Sequence, residues 1–376
     1  MDQIRTMQDN INKDNSFFTD WWDQINKPIF VSILSLIFIG LFISLTINQN
    51  DQYSNTSNIF SVFSSQAIYL IIGLALCFII SFFDSTKIRS ITIILFSFFL
   101  ILLFLTLIFG NEIKGSKRWI DLKYFTIMPI EIIKPFFCLL LAFILSNENG
   151  KNTIYPYILS FVIYLSISSI LILQPDISQF ILISAIYFSS IFLSGFSFII
   201  LISIIILGVI SFLGIYLLNF NVQNRIKSFF SPDQYDVSQA ELSLKAIKSG
   251  GLTGVGPGNG IIKEKIPEAE SDYIFSVIAE EYGLFGCLML LTIFFIIAYN
   301  SFKSVYNNNN HFIQISLFTL VVYFCLQALI HISVNIRLIP TTGITLPFIS
   351  YGGSSILGMS ITCGFIMMFS KKRHNR

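Results

Sequence analysis

Ten long apolar stretches, separated by short polar segments, run along the chain between residues 29 and 370. They lie at 29–48, 67–83, 90–110, 129–146, 154–173, 177–194, 197–219, 273–300, 312–332 and 351–370. An α-helix needs about 20 residues to cross the hydrocarbon core of a bilayer. The pattern therefore predicts an all-α integral membrane protein with about ten transmembrane helices. The boundary between the sixth and seventh stretches is the least distinct of them.

The composition supports this prediction. Of the 376 residues, 54% are hydrophobic and only 12% are charged, whereas a soluble domain carries about 25% charged residues. So few charges cannot cover a water-facing surface. The net charge of +2 gives no indication of nucleic-acid binding. Each of the five cysteines lies inside an apolar stretch and none forms a CxxC pair, so we expect neither a disulfide framework nor a thiolate metal site.

Basic residues in the short connecting segments predict the orientation of the helices. With the N-terminus inside, the inner loops carry Lys87, Arg89, Lys151 and Lys303. We expect a cytoplasmic segment at 1–28 without a cleavable signal peptide. A polytopic membrane domain follows at 29–370 and a basic cytoplasmic tail at 371–376. A large extracytoplasmic loop at 220–272 would separate the seventh and eighth helices.

Two loops on the predicted outer side keep basic residues where the orientation rule disfavours them. These loops, at 111–127 and 220–272, carry the candidate phosphate ligands Lys117, Arg118, Arg225 and Lys248. An anionic substrate on that side, such as a pyrophosphate, would explain them. The alternative is that the charges are merely solvated, because long loops cross the membrane largely regardless of charge.

Ionisable residues also occur at the beginnings of two apolar stretches. In PIEIIK, Glu131 and Lys134 stand three positions apart, so they share one helix face and can pair. Such a pair inside a span is either functional or a structural ion pair that joins helices. In QPD, Asp176 either contacts a substrate or caps the following helix.

Two segments are rich in glycine and proline. Residues 250–260 read GGLTGVGPGNG, which can bring backbone N–H groups to phosphate or sugar, or can simply form a tight turn. Residues 335–355 read NIRLIPTTGITLPFISYGGSS. Irregular backbone at membrane depth is tolerated only where protein or a water-filled cavity covers it. The second segment therefore indicates a site, with Ser350, Gly352 and Gly353 as candidate substrate contacts.

An acidic segment, PEAESDYIFS, leads into the eighth apolar stretch. Asp272 is its last acid, and a helix N-terminus favours the ionised form of a nearby carboxylate. At a membrane–water boundary such a carboxylate can act as a general base towards a sugar hydroxyl. The alternative is an N-cap, a task that Ser271 and Glu268 would share. Glu268 is also a candidate substrate contact.

These motifs, in this order, resemble the SEDS (FtsW/RodA) family of cell-wall polymerases. The matching stretches are GSKRWIDL, PIEIIK, QPD, SGGLTGVGPGNG, KIPEAESDYIFSVIAEEYGLFG and NIRLIPTTGITLPFISYGGSS. They extend discontinuously from Gly115 to Ser355. Within the family, GPGxG followed by PEA is more similar to the division-associated members, FtsW, than to the elongation-associated ones. The chain departs from the family pattern at Ile130, at Ser178 and Gln179, at Glu270 and Ser271, and at Thr342.

The resemblance implies a ten-span protein of the bacterial inner membrane, with both termini in the cytoplasm. It implies a glycosyltransferase that polymerises lipid II at the outer face during cell division and releases undecaprenyl pyrophosphate. Asp272 matches the proposed catalytic Asp, while Glu131 and Lys134 match the family's Glu and Lys. The implied partners are a class B penicillin-binding transpeptidase similar to FtsI and other division proteins. A divalent cation, Mg²⁺ or Mn²⁺, could assist the pyrophosphate, although the sequence contains no dedicated ligand cluster.

Other functions stay open at this point. A lipid II flippase would use the same features, but a transporter places its essential polar groups near the bilayer midplane. A scaffold that activates a partner synthase would not need Asp272 as a base. A third alternative is a polymerase for another lipid-linked glycan.

Overall fold

The computed structural model describes residues 19–47, 59–83, 88–113, 116–121, 126–146, 154–195, 223 and 239–371. The long helices are α1 Lys27–Ile47, α2 Ile59–Phe82, α3 Ile88–Phe109, α4 Pro129–Leu145, α5 Tyr155–Leu173, α6 Ile177–Leu193, α7 Gln239–Gly250, α8 Ile274–Tyr306, α9 His311–Asn335 and α10 Gly353–Phe369. The short elements are strands β1 Asn111–Ile113, β2 Ser116–Asp121 and β3 Thr126–Ile127 and a 3₁₀-helix at Lys263–Lys265.

Nine of the ten predicted spans correspond to helices of the structure, and the predicted seventh span at 197–219 lies outside the described residues. Six described helices are long and apolar enough to cross a membrane, and α6 and α10 are shorter apolar helices. The all-α membrane fold is thus confirmed, while the number of spans stays a prediction. Helix α2 begins at Ile59, earlier than the predicted residue 67. The predicted stretch started only after Gln66, a polar residue that the helix includes. The Gln66 amide donates to the Ile349 carbonyl at 3.1 Å, which satisfies this polar group inside the bundle.

Helices α4 and α10 form the centre of the bundle. In each of them 15 of the 17 residues are buried, as expected for helices that are apolar on all sides. They pack on each other, with α9 against both, α3 against α4, and α2 against α10. At about 26 Å, they are shorter than α8 and α9, which have 33 and 25 residues. Both central helices begin at the end of the bundle where the polar motifs lie.

Helix α8 is broken at Gly283, which has φ 64° and ψ −161°. The break removes helical hydrogen bonds, and the glycine-rich segment 250–260 replaces them. The N–H groups of Val255 and Gly256 donate at 3.0 Å to the carbonyls of Glu280 and Glu281. The segment thus forms a tight turn around the helix, the second alternative considered above. The N–H groups of Val255 and Gly256 are bonded to carbonyls of α8 and are therefore not directed at a phosphate or a sugar.

Two acidic side chains of α8 hold the next part of this loop. The Glu280 carboxylate accepts from the backbone N–H groups of Ile262 and Lys263 at 2.8 and 2.9 Å. The buried Lys263 ammonium pairs with Glu281 and donates to the Thr46 carbonyl of α1 at 2.8 Å. These contacts explain why two acids occur so deep in a membrane helix. They also fix the loop on both sides of the acidic segment 268–272.

A small antiparallel sheet lies between α3 and α4, where the sequence predicted only a loop. Strand β2 pairs with β1 on one side and with β3 on the other. The three strands have 3, 6 and 2 residues, which is too little alternation to identify from a sequence. Because successive side chains of a strand point to opposite faces, Lys117 is exposed while Arg118 turns inward.

Candidate active site

A cavity of about 630 Å³ lies at the end of the bundle where α4, α8 and α10 begin. Three motif-bearing parts of the chain form its wall: the sheet with the beginning of α4, the acidic segment 268–272, and the segment 341–355. Five residues singled out from the sequence line it, namely Arg118, Glu131, Glu268, Asp272 and Gly352. The remaining lining is mainly Ser and Thr hydroxyls, with Trp119, Met128, Gln239, Gly343 and Tyr351.

The other predicted site residues lie elsewhere. Lys117 and Lys248 are exposed and do not line the cavity. Gly353 packs its backbone against the ring of Tyr69. Arg225 lies outside the described residues. A role of these residues in substrate binding stays a prediction.

Asp272 lies at the beginning of α8 but does not serve as its N-cap. The helix begins at Ile274, the N-cap residue is Tyr273, and the Tyr273 side chain makes no cap hydrogen bond. Asp272 is half-buried and faces Gly343, where an added Cβ would lie 3.7 Å from the Asp272 Oδ2 atom. The absence of a side chain at Gly343 leaves room beside the carboxylate. The geometry thus favours a role in the cavity over the capping alternative.

The acidic segment is held against the segment 341–355 by backbone contacts. The Ser350 hydroxyl donates to the Ser271 carbonyl at 2.6 Å, and the Tyr351 N–H donates to the Glu270 carbonyl at 2.9 Å. Ser350 is itself buried behind the cavity wall. Glu268 adopts a left-handed φ of 58°, a strained conformation that is found where the surrounding structure fixes a residue.

Arg118 is held at the cavity wall by Asp176. The Arg118 Nε atom lies 3.1 Å from the Asp176 Oδ2 atom, and its Nη2 donates to the Pro175 carbonyl at 3.4 Å. The other oxygen of Asp176 accepts from the Gln179 N–H at 3.3 Å, so the capping alternative for Asp176 is confirmed. Burial raises the pKa of the Asp176 carboxyl, and the Arg118 guanidinium opposes that rise. One buried acid thus begins α6 and orients the cation.

The predicted pair of Glu131 and Lys134 forms the floor of the cavity. Their charged groups lie 2.7 Å apart. The Gln179 amide donates to Glu131 at 2.7 Å, and Lys134 donates to the Gln179 oxygen at 3.1 Å and to Gln327 at 3.5 Å. Lys134 is fully buried beneath Glu131, which lines the cavity. The pair therefore joins α4, α6 and α9 and also contributes a carboxylate to the site.

Above this floor, Gln327 connects the ion pair to the hydroxyl-rich wall. Its amide donates at 3.2 Å to the Thr345 carbonyl, to the Thr345 hydroxyl and to the Ser355 hydroxyl. Sequence reasoning named Gln179 only as a departure from the family pattern and missed Gln327, although a polar residue inside an apolar span is itself a signal of a site.

Three helices, α4, α8 and α10, direct their N-termini at the cavity. Helix N-termini carry unpaired N–H groups and partial positive charge, so they favour anions. Together with Arg118 they make this end of the bundle suitable for a phosphate, and Glu131, Glu268 and Asp272 supply carboxylates to the same cavity. Among the residues that the structure describes, no group of three or more His, Cys, Asp or Glu is arranged to hold a metal ion. The divalent cation stays a prediction.

Comparison with known proteins agrees with this arrangement. Residues 27–375 match the FtsW/RodA/SpoVE family, described as cell cycle proteins. The chain belongs to this family. The resemblance inferred from the motifs is thereby confirmed, and the chain is a multi-pass membrane protein.

Relatives of the FtsW/RodA/SpoVE chain carry consistent names. A protein of Caulobacter vibrioides is 36% identical over 268 residues, which cover 70% of this chain and 68% of that protein. A protein of Coxiella burnetii is 30% identical over 365 residues, covering 92% and 96%. Both are named probable peptidoglycan glycosyltransferase FtsW.

Solved structures share the fold of this family member. One comes from a study of the structural coordination of polymerization and crosslinking by a peptidoglycan synthase complex. It has a TM-score of 0.76 at 22% identity, and the match covers 92% of this chain and 97% of that chain. The rod shape determining protein RodA of Thermus thermophilus has a TM-score of 0.69 at 22% identity, covering 92% and 96%.

Proposed function

We propose that this chain is a peptidoglycan glycosyltransferase that polymerises lipid II into glycan strands at the outer face of the bacterial inner membrane. The observation that supports this proposal most directly is the composition of the cavity wall. The Asp272 carboxylate, the oriented Arg118 and several helix N-termini face a single space of about 630 Å³, which Glu131 and Glu268 also line. This combination suits a reaction that needs a base for a sugar hydroxyl and a site for a departing pyrophosphate.

Asp272 acts as the general base in this mechanism. Its carboxylate takes the proton from the 4-hydroxyl of the acceptor GlcNAc as that oxygen attacks the anomeric carbon of the donor MurNAc. The bond from this carbon to the pyrophosphate oxygen breaks, and the configuration at the carbon inverts. General bases contribute about 10²- to 10⁴-fold to such steps. The electron pair leaves with undecaprenyl pyrophosphate, so no nucleotide is required.

Arg118 stabilises the charge of the leaving group, together with the N-termini of α4 and α10. Preorganised donors of this kind are effective because they need no reorganisation during the reaction. If a divalent cation binds, it would supply additional charge to the pyrophosphate. The hydroxyls of the segment 341–355 suit hydrogen bonds to the sugar rings.

The proposed setting is the division septum, with both termini in the cytoplasm and the loop 220–272 on the outer side. The names of the relatives support the division role. A class B penicillin-binding transpeptidase similar to FtsI is the proposed partner. One solved structure of the same fold belongs to a peptidoglycan synthase complex, which supports such an assembly.

The test follows polymerisation of labelled lipid II by purified protein in detergent, with the candidate partner present. We expect glycan strands from the wild type and a loss of at least about 100-fold with Asp272→Asn. Glu264→Gln is the matched control, because Glu264 is an exposed acid of the same loop that does not line the cavity. Normal polymerisation by Asp272→Asn would exclude Asp272 as the base. A folded wild type that makes no glycan would favour a lipid II flippase or a scaffold.

A further inference from the structure

Asn335, the last residue of α9, is fully buried and contacts the beginning of α8 in two ways. Its amide nitrogen donates to the Asp272 carbonyl at 3.1 Å. Its amide oxygen accepts from the Ser276 N–H at 3.0 Å and from the Ser276 hydroxyl at 2.6 Å. The same nitrogen also donates to the His331 carbonyl of its own helix at 2.9 Å. The amide group of Asn335 thus joins the end of α9 to Asp272 and to the first turn of α8.

These contacts replace a missing cap. The first N–H groups of a helix have no partner within the helix, and Tyr273 provides no side-chain cap for α8. From a neighbouring helix, Asn335 supplies a side-chain acceptor to the Ser276 N–H, which also donates to the Tyr273 carbonyl at 3.0 Å. An amide side chain carries a donor nitrogen and an acceptor oxygen on separate atoms, so Asn335 binds the Ser276 N–H and the Asp272 carbonyl at the same time.

The position of Asn335 is itself fixed by α7. The Ser243 hydroxyl donates to the Asn335 carbonyl at 2.7 Å and lies 2.5 Å from the Ser276 hydroxyl. Both serines are fully buried. One buried polar cluster therefore joins the end of α9, the middle of α7 and the beginning of α8. The Asp272 carbonyl accepts a hydrogen bond from this cluster.

We propose that Asn335 is a positioning residue for glycosyl transfer. Its amide fixes the backbone of Asp272 and thereby the direction in which the carboxylate enters the cavity. The proposal rests on the function proposed above. A displacement of about 1 Å at a reacting group can lower the rate by about 100-fold, so a small shift of this backbone is enough to impair catalysis while leaving substrate binding intact.

The test is Asn335→Asp, which keeps the acceptor for Ser276 and replaces the donor to Asp272 with an oxygen. We expect kcat for lipid II polymerisation to fall by about 10- to 100-fold, with KM changed by less than about threefold. Asn310→Ala is the matched control. Asn310 caps the opposite end of the same helix by accepting from the Ile313 N–H at 3.3 Å, and we expect its kcat to remain normal.

A double-mutant cycle distinguishes positioning from a general structural role. If Asn335 acts through Asp272, then Asn335→Asp should cause little further loss in a protein that already carries Asp272→Asn. Additive losses would overturn the proposal, as would a loss in Asn335→Asp that merely follows a lower folded fraction in thermal unfolding. An active wild type with an equally active Asn335→Asp would refute only this inference. A wild type without polymerase activity would refute the proposed function and the inference with it.

Discussion

Substitutions in the ion pair of Arg118 and Asp176 test whether Arg118 stabilises negative charge in the cavity and whether it depends on Asp176 for its orientation. Asparagine caps a helix about as well as aspartate, so Asp176→Asn should preserve the beginning of α6 and remove only the charge beside Arg118. The Asp176 side chain is fully buried and that of Arg118 is 17% exposed. Arg118 can therefore still reach water in the variant, and we expect the protein to fold.

The size of the effect follows from the kind of contact that is lost. An exposed ion pair contributes about 0.2–1 kcal/mol and breaking a buried one costs about 3–5 kcal/mol, so we expect about 1.5–3 kcal/mol for this pair, in which one side chain is fully buried and the other partly exposed. If that amount is lost from the transition state, the rate falls by about 10- to 100-fold, because each 1.4 kcal/mol corresponds to a factor of ten. We expect this loss in polymerisation of labelled lipid II. Asp176→Ala also removes the cap, which should lower stability by about a further 1 kcal/mol.

Arg118→Gln is the reference for this experiment, because it removes the cation itself. If Asp176→Asn keeps more than half of the wild-type rate while Arg118→Gln is strongly impaired, Arg118 does not depend on Asp176 for its orientation. If both variants polymerise normally, Arg118 does not stabilise the leaving group. Either result would refute the assignment of this pair to the chemistry.

Two further predictions concern stability, measured by thermal unfolding in detergent. Lys134→Met leaves the Glu131 carboxylate buried without its cation and should destabilise the protein by about 3–5 kcal/mol. Adding Glu131→Gln to this variant should restore part of the lost stability. A Lys134→Met protein as stable as the wild type would contradict this prediction. Gly254→Ala should prevent proper folding, because the new Cβ would collide with the Glu281 carbonyl at a left-handed φ of 81°. Gly251→Ala meets no atom within 4 Å and should cost only about 1–2 kcal/mol for its own left-handed φ, so equal effects of the two changes would argue against the packing described.

Some ends of the helices could be predicted from the sequence because uninterrupted apolar stretches are a strong signal, although α8 and α9 extend to Tyr306 and Asn335, beyond the predicted 300 and 332. The predicted starts at 129 and 177 agree with α4 and α6. A polar residue inside a helix weakens this signal, and Gln66 therefore led to a late start for α2. The bonding partner of such a residue, here a carbonyl nearly 300 positions away, cannot be inferred from local pattern.

The candidate site was predicted in part. Asp272 and Glu131 were identified as ionisable residues at the beginnings of apolar stretches, and Arg118 as a basic residue of an outer loop. The structure brings all three to one cavity. Charge counting also selected Lys117 and Lys248, which lie outside it. The number of basic residues in each loop predicts the side of the membrane on which the loop lies. It does not predict the direction in which each side chain points.

The break at Gly283 also bears on how the protein is assembled. A membrane helix normally satisfies its own backbone, which allows it to enter the bilayer as an independent unit. In its final form, helix α8 does not satisfy all of its own backbone groups. The carbonyls of Glu280 and Glu281, just before the break, accept hydrogen bonds from the N–H groups of Val255 and Gly256. The turns of this helix next to Gly283 thus depend on a segment that is synthesised some twenty-five residues earlier. Residues 250–285 are in that sense one folding unit, and this unit includes Asp272, which lines the cavity.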